Sequence, residues 1–146
     1  MYETKADTID VDDIAANNNN RIVMRRIKAN NEQDVYEKNE LYIQHEHDKD
    51  GEDCVDYVPG GAVDMGWMGY FIGKSEYLEE LIMSYFIPTS GESVEDVLKP
   101  FFRGVNNNKS IQKIDFTKAN LLGGKVFDIM NPFFKDNHNL TGISIG

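Results

Sequence analysis

Apolar residues at the first, fourth and sixth places of a short segment occur three times along the chain. Ile111, Ile114 and Phe116 recur 29 positions later as Leu140, Ile143 and Ile145, and 33 positions earlier as Leu78, Leu81 and Met83. The fourth and sixth places lie two apart, so in a short strand their apolar side chains share one buried face. A second pattern fills the intervals between them. Alignment on Phe71-Ile72, Phe101-Phe102 and Phe133-Phe134 puts Trp67, Val97 and Ile129 four positions before each pair and Met68, Leu98 and Met130 three before. Val94 and Val126 stand seven before the last two pairs. Offsets of three, four and seven describe the apolar face of an α-helix.

The two patterns keep step. Phe71 precedes Leu78 by seven residues, and Phe133 precedes Leu140 by the same seven. Phe101 precedes Ile111 by ten, which locates a three-residue insertion in Gly104–Asn108. Self-similarity at a near-constant period signals one supersecondary unit stacked on its copies. The pattern predicts strands near 41–44, 79–83, 112–116 and 141–145, and helices near 21–29, 64–73, 93–103 and 124–135. Pro100 and Pro132 precede two of the aromatic pairs, where Tyr70 precedes the third. An interior proline costs a helix about 3 kcal/mol, so its recurrence predicts a kink or a tighter last turn.

The first half of the chain is less regular. Residues 1–20 carry Glu3, Asp7, Asp10, Asp12 and Asp13 against Lys5 and end in Asn17–Asn20, so a disordered acidic tail is expected. Ile22, Val23 and Ile27 fit one face of a helix stopped by Asn30-Asn31, and Leu41-Tyr-Ile43 fits a strand. Residues 45–61 read as a loop, with six acidic residues between Glu46 and Asp56 and a Pro59-Gly60-Gly61 ending. The expected organisation is a tail over 1–20 and one repeat domain over 21–146. Residues 21–61 form its divergent first unit and 62–146 its clearer repeats.

In Ile111, Ile114, Phe116 and Leu121 the chain resembles leucine-rich repeats of the ribonuclease-inhibitor-like class, whose strand motif is apolar at places one, four, six and eleven. The ninth place, asparagine or cysteine in that class, falls on Ala119 with Asn120 one position late. In the earlier unit Phe86 and Pro88 hold places nine and eleven, so an intact asparagine ladder is not expected. The resemblance implies an α/β horseshoe, with parallel strands lining the concave face and helices outside. It further implies a noncatalytic scaffold that binds a protein partner through the concave face. Because a repeat cannot bury its apolar face alone and Gly146 follows directly on a strand, the chain is expected to be an N-terminal fragment of a longer solenoid.

Alternate strand residues point to opposite faces, so the positions between the buried ones face the concavity. These are Glu40, Tyr42, Gln44, Glu80, Ile82, Ser84, Lys113, Asp115, Thr117, Gly142 and Ser144. Tyr42, Ile82 and Asp115 should hold equivalent central places on adjacent strands. Some members of the class regulate small GTPases or inhibit nucleases, but no residue here singles out either activity.

Charge narrows the partner classes. Fifteen lysines and arginines against 25 aspartates and glutamates give a formal net charge of −10. That argues against nucleic acid, which needs clustered cations, and against anionic membranes. Cys54 is the lone cysteine, so an intrachain disulfide is excluded. No signal-peptide pattern follows Met1, and no run reaches the roughly 18 apolar residues of a membrane span. An intracellular, cytoplasmic setting is expected.

Local motifs carry less. His45, His47 and Cys54, with Glu46, Asp48, Asp50, Glu52 and Asp53, offer zinc-type ligands and are the basis of an alternative metal-binding or enzymatic reading. As a calcium loop, the same segment fails at its twelfth place, where Tyr57 replaces a bidentate glutamate. A solvated acidic insertion, with no metal, is the reading adopted. Ala119–Val126 approaches a phosphate-binding loop but has Val126 where magnesium ligation needs Ser or Thr. No Gly-x-Ser-x-Gly occurs, and His45, His47 and His138 sit in polar contexts with no nucleophile to serve. No catalytic residue and no cofactor are expected. The Asn17–Asn20 and Asn106–Asn108 runs read as low-complexity loop, and Ser93 with Asp96 as a helix cap.

Overall fold

The structure is a computed structural model that describes residues 2–6, 8–15, 18–30, 40–44, 57–84, 89–118, 124–136 and 140–144. In chain order the elements are α1 (Tyr2–Lys5), α2 (Val11–Ile14), α3 (Asn18–Ala29), β1 (Glu40–Gln44) and α4 (Ala62–Lys74). They continue as β2 (Glu80–Ser84), α5 (Val94–Val105), β3 (Lys113–Lys118), α6 (Gly124–Asp136) and β4 (Gly142–Ser144). The architecture is mixed α/β. The four strands form one parallel sheet in sequential order, β1-β2-β3-β4. Successive helices also pack side by side, α3 on α4, α4 on α5 and α5 on α6.

The sheet presents one face to the helices. Leu41, Ile43, Leu81, Met83, Ile114 and Phe116 are buried and join one core with the helix residues Met68, Phe71, Ile72, Val97, Leu98, Phe101, Phe102, Met130 and Phe133. These are the residues that the strand alternation and the helix offsets select, because one set of buried contacts imposes both periods. The strand starts repeat as well. The Glu79 carbonyl accepts from the Gln112 and Lys113 N–H groups, and one unit later the Gln112 carbonyl accepts from Thr141 and Gly142. Ile143, at the β4 edge, is 46% exposed.

The proline helices are α-helical over their full lengths, with Pro100 and Pro132 inside them, so of the two outcomes expected, a kink or a tighter last turn, the tighter turn is not adopted. Ser93 caps α5, its hydroxyl accepting from the Asp96 N–H at 3.2 Å.

Among the described elements, α4 and α5 make the most extensive contact, and glycine is the reason. Gly66, Gly69 and Gly73 lie on one side of α4 at helical spacing. A Cβ on Gly69 would stand 2.1 Å from the Phe101 carbonyl oxygen, and one on Gly104 would stand 2.3 Å from the Gly69 carbonyl carbon. The two backbones therefore touch where they cross.

Two expectations are corrected. The first concerns residues 1–20, which were expected to form a disordered tail. Its described residues include two short helices, with Val11 and Ala15 buried in the core. Tyr2 packs edge-on to Trp67 at 4.7 Å and stacks on Tyr70 at 5.6 Å, while Asp12 pairs with Arg25. The physical reason is that α4 is apolar almost all round, so its Trp67–Tyr70 side needs a cover that the next helix does not supply. The few apolar residues of the first twenty provide it.

The second correction concerns α3. It begins at Asn18, and its inward face is Asn20, Val23, Met24 and Ile27, leaving Ile22 at 47% exposure. Asn20 is inside because its side chain replaces a strand neighbour. Its Nδ2 donates to the Val58 carbonyl at 2.8 Å, and its Oδ1 accepts from the Val58 N–H at 2.9 Å.

A candidate interaction surface

The strand residues that face away from the helices form ordered rows. Register pairs Glu40 with Glu80, Glu80 with Lys113 and Lys113 with Gly142. The next row pairs Tyr42 with Ile82, Ile82 with Asp115 and Asp115 with Ser144. Tyr42, Ile82 and Asp115 thus share the central line anticipated from the repeat. Beyond it a bulge intervenes, and Ser84 pairs with Lys118 in place of Thr117. The third row, Gln44–Ser84–Thr117, is therefore broken between its last two members.

None of Glu40, Tyr42, Glu80, Ile82, Lys113, Asp115 or Gly142 is buried, in contrast to every flanking ladder residue of β1 and β2. Gln44, Ser84, Thr117 and Ser144 are strand positions whose side chains lie outside the described set.

Glu80 is the perturbed member of the face. Partial burial raises its carboxyl above its ordinary value, and Glu40 adds to this through its charge and a side-chain hydrogen bond. Lys113 pulls the other way and Asp115 reinforces the rise. A hydrogen bond between two carboxyl groups needs a proton on one of them, so like charges on neighbouring parallel strands hold that proton more tightly. The folded protein binds the Glu80 proton more tightly than the unfolded chain does, and folding stability contributed by this group therefore grows as pH falls through the raised value. Glu80→Gln is expected to stabilise the fold at neutral pH by about 0.5 kcal/mol. That advantage should shrink as pH is lowered, which urea unfolding at a series of pH values would measure.

Behind the face, a second carboxylate has a structural task. Asp64 is 5% exposed and sits in the first turn of α4, accepting from the Tyr57 hydroxyl at 2.8 Å and the Gly60 N–H at 3.1 Å through Oδ2. Its Oδ1 accepts from the Gly61 N–H at 2.5 Å. Burial raises the Asp64 carboxyl, while the hydrogen bonds from Gly61, Tyr57 and Gly60 oppose the rise. Burial and the Asp64 charge also push the Tyr57 phenol well above its ordinary value, which keeps it protonated as the donor. Tyr57 bridges to Ile43 beside β1, and its N–H donates to the Tyr42 carbonyl at 3.0 Å. Asp64 thus ties the edge of β1 to the start of α4.

A shallow groove lies at the other end of the helices, lined by Tyr70, Lys74, Ser75, Glu76, Asn107 and Lys109 among others. Its polar wall is structural. Asn108, beside it, is buried and donates to the Ile72 carbonyl at 2.6 Å and the Ser75 carbonyl at 3.2 Å, while its Oδ1 accepts from Ser110 and Ile111 N–H groups at 2.8 and 2.7 Å. Ser75 and Asn30 act in the corresponding turns, accepting from Leu78 and Glu76 respectively. A polar ladder joins the units, but at the helix-to-strand turns. The Asn106–Asn108 and Asn17–Asn20 runs, low-complexity loop by sequence, therefore contain structural side chains in Asn108 and Asn20. The available signal was that Asn108 precedes Ile111 by three residues, as Ser75 precedes Leu78.

The segment holding His45, His47 and Cys54, and Ala119–Gly123 of the loop that resembles a phosphate site, lie outside the described residues. Among the described residues, no helix is long and apolar enough to cross a membrane. Comparison with known protein families, with curated proteins and with solved structures found no match to this chain.

Proposed function

We propose that this chain is a noncatalytic protein-interaction scaffold of leucine-rich-repeat type, which binds its partner through the open face of the parallel sheet. The observation that supports this most is the division of the sheet. Leu41, Ile43, Leu81, Met83 and Ile114 are committed to the core, while Tyr42, Ile82 and Asp115 stand in register on the other side. The sequential strand order and the matching order of helix contacts fit a stacked strand–helix unit. In such an array each unit adds one row of outward residues to a continuous surface, which suits an extended partner better than a small substrate. Asn30 and Asn108 tie neighbouring units at the helix-to-strand turns, a different place from the ninth motif position of the family.

Proteins retained from a cell extract by the wild-type chain should be lost by Ile82→Lys, which puts a charge at the centre of the face. They should survive Lys99→Glu, which alters the exposed side of α5. Loss with Lys99→Glu and retention with Ile82→Lys would move the binding surface to the helices.

A further inference from the structure

We propose that the open sheet face takes a basic protein segment, with a lysine or arginine seated against Glu40 and Glu80 and an apolar side chain two residues away on Tyr42 and Ile82. This rests on the reading of that face as the docking surface and adds the chemistry of the occupant.

Two features of the face argue for it together. The first is the pairing of like charges. Glu40 and Glu80 are direct neighbours across β1 and β2, and adjacent strands are about 4.8 Å apart. Such a pair is unfavourable in the free protein. The fold gains no burial from it, since a glutamine at either place would fill the same space. A cation placed between the two carboxylates turns their repulsion into a shared attraction, and a guanidinium can engage both through its planar donors. Lys113 neighbours Glu80 on the far side, so the side toward Glu40 is where an added cation meets the larger negative potential. Asp115 extends that potential into the next row.

The second feature is apolar. Tyr42 and Ile82 are half-buried in the next row, two residues along their strands. Rows of one sheet face are separated by about 6.6 Å, which is also the distance between same-side residues of an extended chain. A segment alternating cationic and apolar residues therefore meets both rows at once. Ion pairs against the carboxylates supply orientation, and apolar contact on Tyr42 and Ile82 supplies the burial. The formal charge of −10 steers such a segment in and disfavours acidic ones.

The test is a titration of isotope-labelled protein, at low salt, with three short peptides that alternate leucine with arginine, with glutamine or with glutamate. The arginine peptide should move the backbone amides of 40–42, 80–82 and 113–115 and bind about tenfold more tightly than the glutamine peptide, the equivalent of about 1.4 kcal/mol. Glu80→Gln and Glu40→Gln should each remove most of that preference while leaving the spectrum folded. Added salt should reduce it. An arginine peptide that binds elsewhere, binds nowhere, or binds both variants as well as wild type overturns the proposal. Equal affinity for the glutamine peptide on the same face also overturns it, yet leaves the docking surface standing. Concentration-dependent shifts on that face without peptide would identify a second copy as the occupant and overturn it too.

Discussion

Gly104→Ala is expected to destabilise the fold by about 3 kcal/mol, although alanine is the better helix former. In an unconstrained helix the exchange would gain about 1 kcal/mol. Here the new methyl would lie 2.3 Å from the Gly69 carbonyl carbon and 2.4 Å from the Tyr70 nitrogen. Both are backbone atoms inside an α-helix, and a rotamer change cannot move them. Relief requires separating α4 from α5, whose faces carry Trp67, Met68, Phe71, Val97, Leu98 and Phe101 in one core. Gly69→Ala meets the Phe101 carbonyl from the opposite side and should cost a similar amount. Because each clash pushes the same two helices apart, the double variant should lose less than the sum. Gly142→Ala is the control. Its Cβ would meet Lys113 Cγ at 3.4 Å, an ordinary contact with a flexible side chain, and a change within about 0.5 kcal/mol is expected. Denaturant unfolding of the four variants and the wild type measures all of this.

Asn108→Ala is expected to cost about 3 kcal/mol. The side chain is buried and contributes two donated and two accepted hydrogen bonds to main-chain groups of its own turn and of the preceding unit. Truncation leaves the Ser110 and Ile111 N–H groups and the Ile72 carbonyl without that partner, and the gap is too enclosed for each to recover a water freely. Asn108→Asp separates polarity from shape. It keeps the size but sets a carboxylate oxygen against the Ile72 and Ser75 carbonyls, so it should be at least as damaging at neutral pH and should improve on acidification. Thermal unfolding against pH would report the difference.

These two positions also mark where sequence reading reaches its limit. The strand and helix positions were legible because burial imposes a period, and the same period recurs from unit to unit. Leu81, Ile114, Phe101 and Met130 could be named without coordinates for that reason. The open-face row Tyr42–Ile82–Asp115 followed from the same alternation, whereas the pairing of Glu40 with Glu80 emerges from the strand register.

What escaped were side chains whose partners lie far away in sequence. Asn20 carries no local mark that sets it apart from the asparagines beside it, and Asn108 only its three-residue lead on Ile111, since the value of both comes from carbonyls and amides of Val58, Ile72 and Ser75. Tyr2 belongs by sequence to an acidic tail, because its ring finds Trp67 only once α4 exists. Gly66, Gly69 and Gly73 did leave a signal, a small-residue stripe at helical spacing, which predicts a close helix contact on one side. Asp64 left another, as a single carboxylate in the first turn of an otherwise apolar helix.

The most direct test of the docking surface is where a bound partner lies. A photo-activated crosslinking residue is placed at position 82 in one sample and at position 99, on the exposed side of α5, in another. Each is irradiated with a partner whose retention depends on Ile82. The account predicts a crosslinked product from position 82 and none from position 99. A product from position 99 with none from position 82 would contradict it.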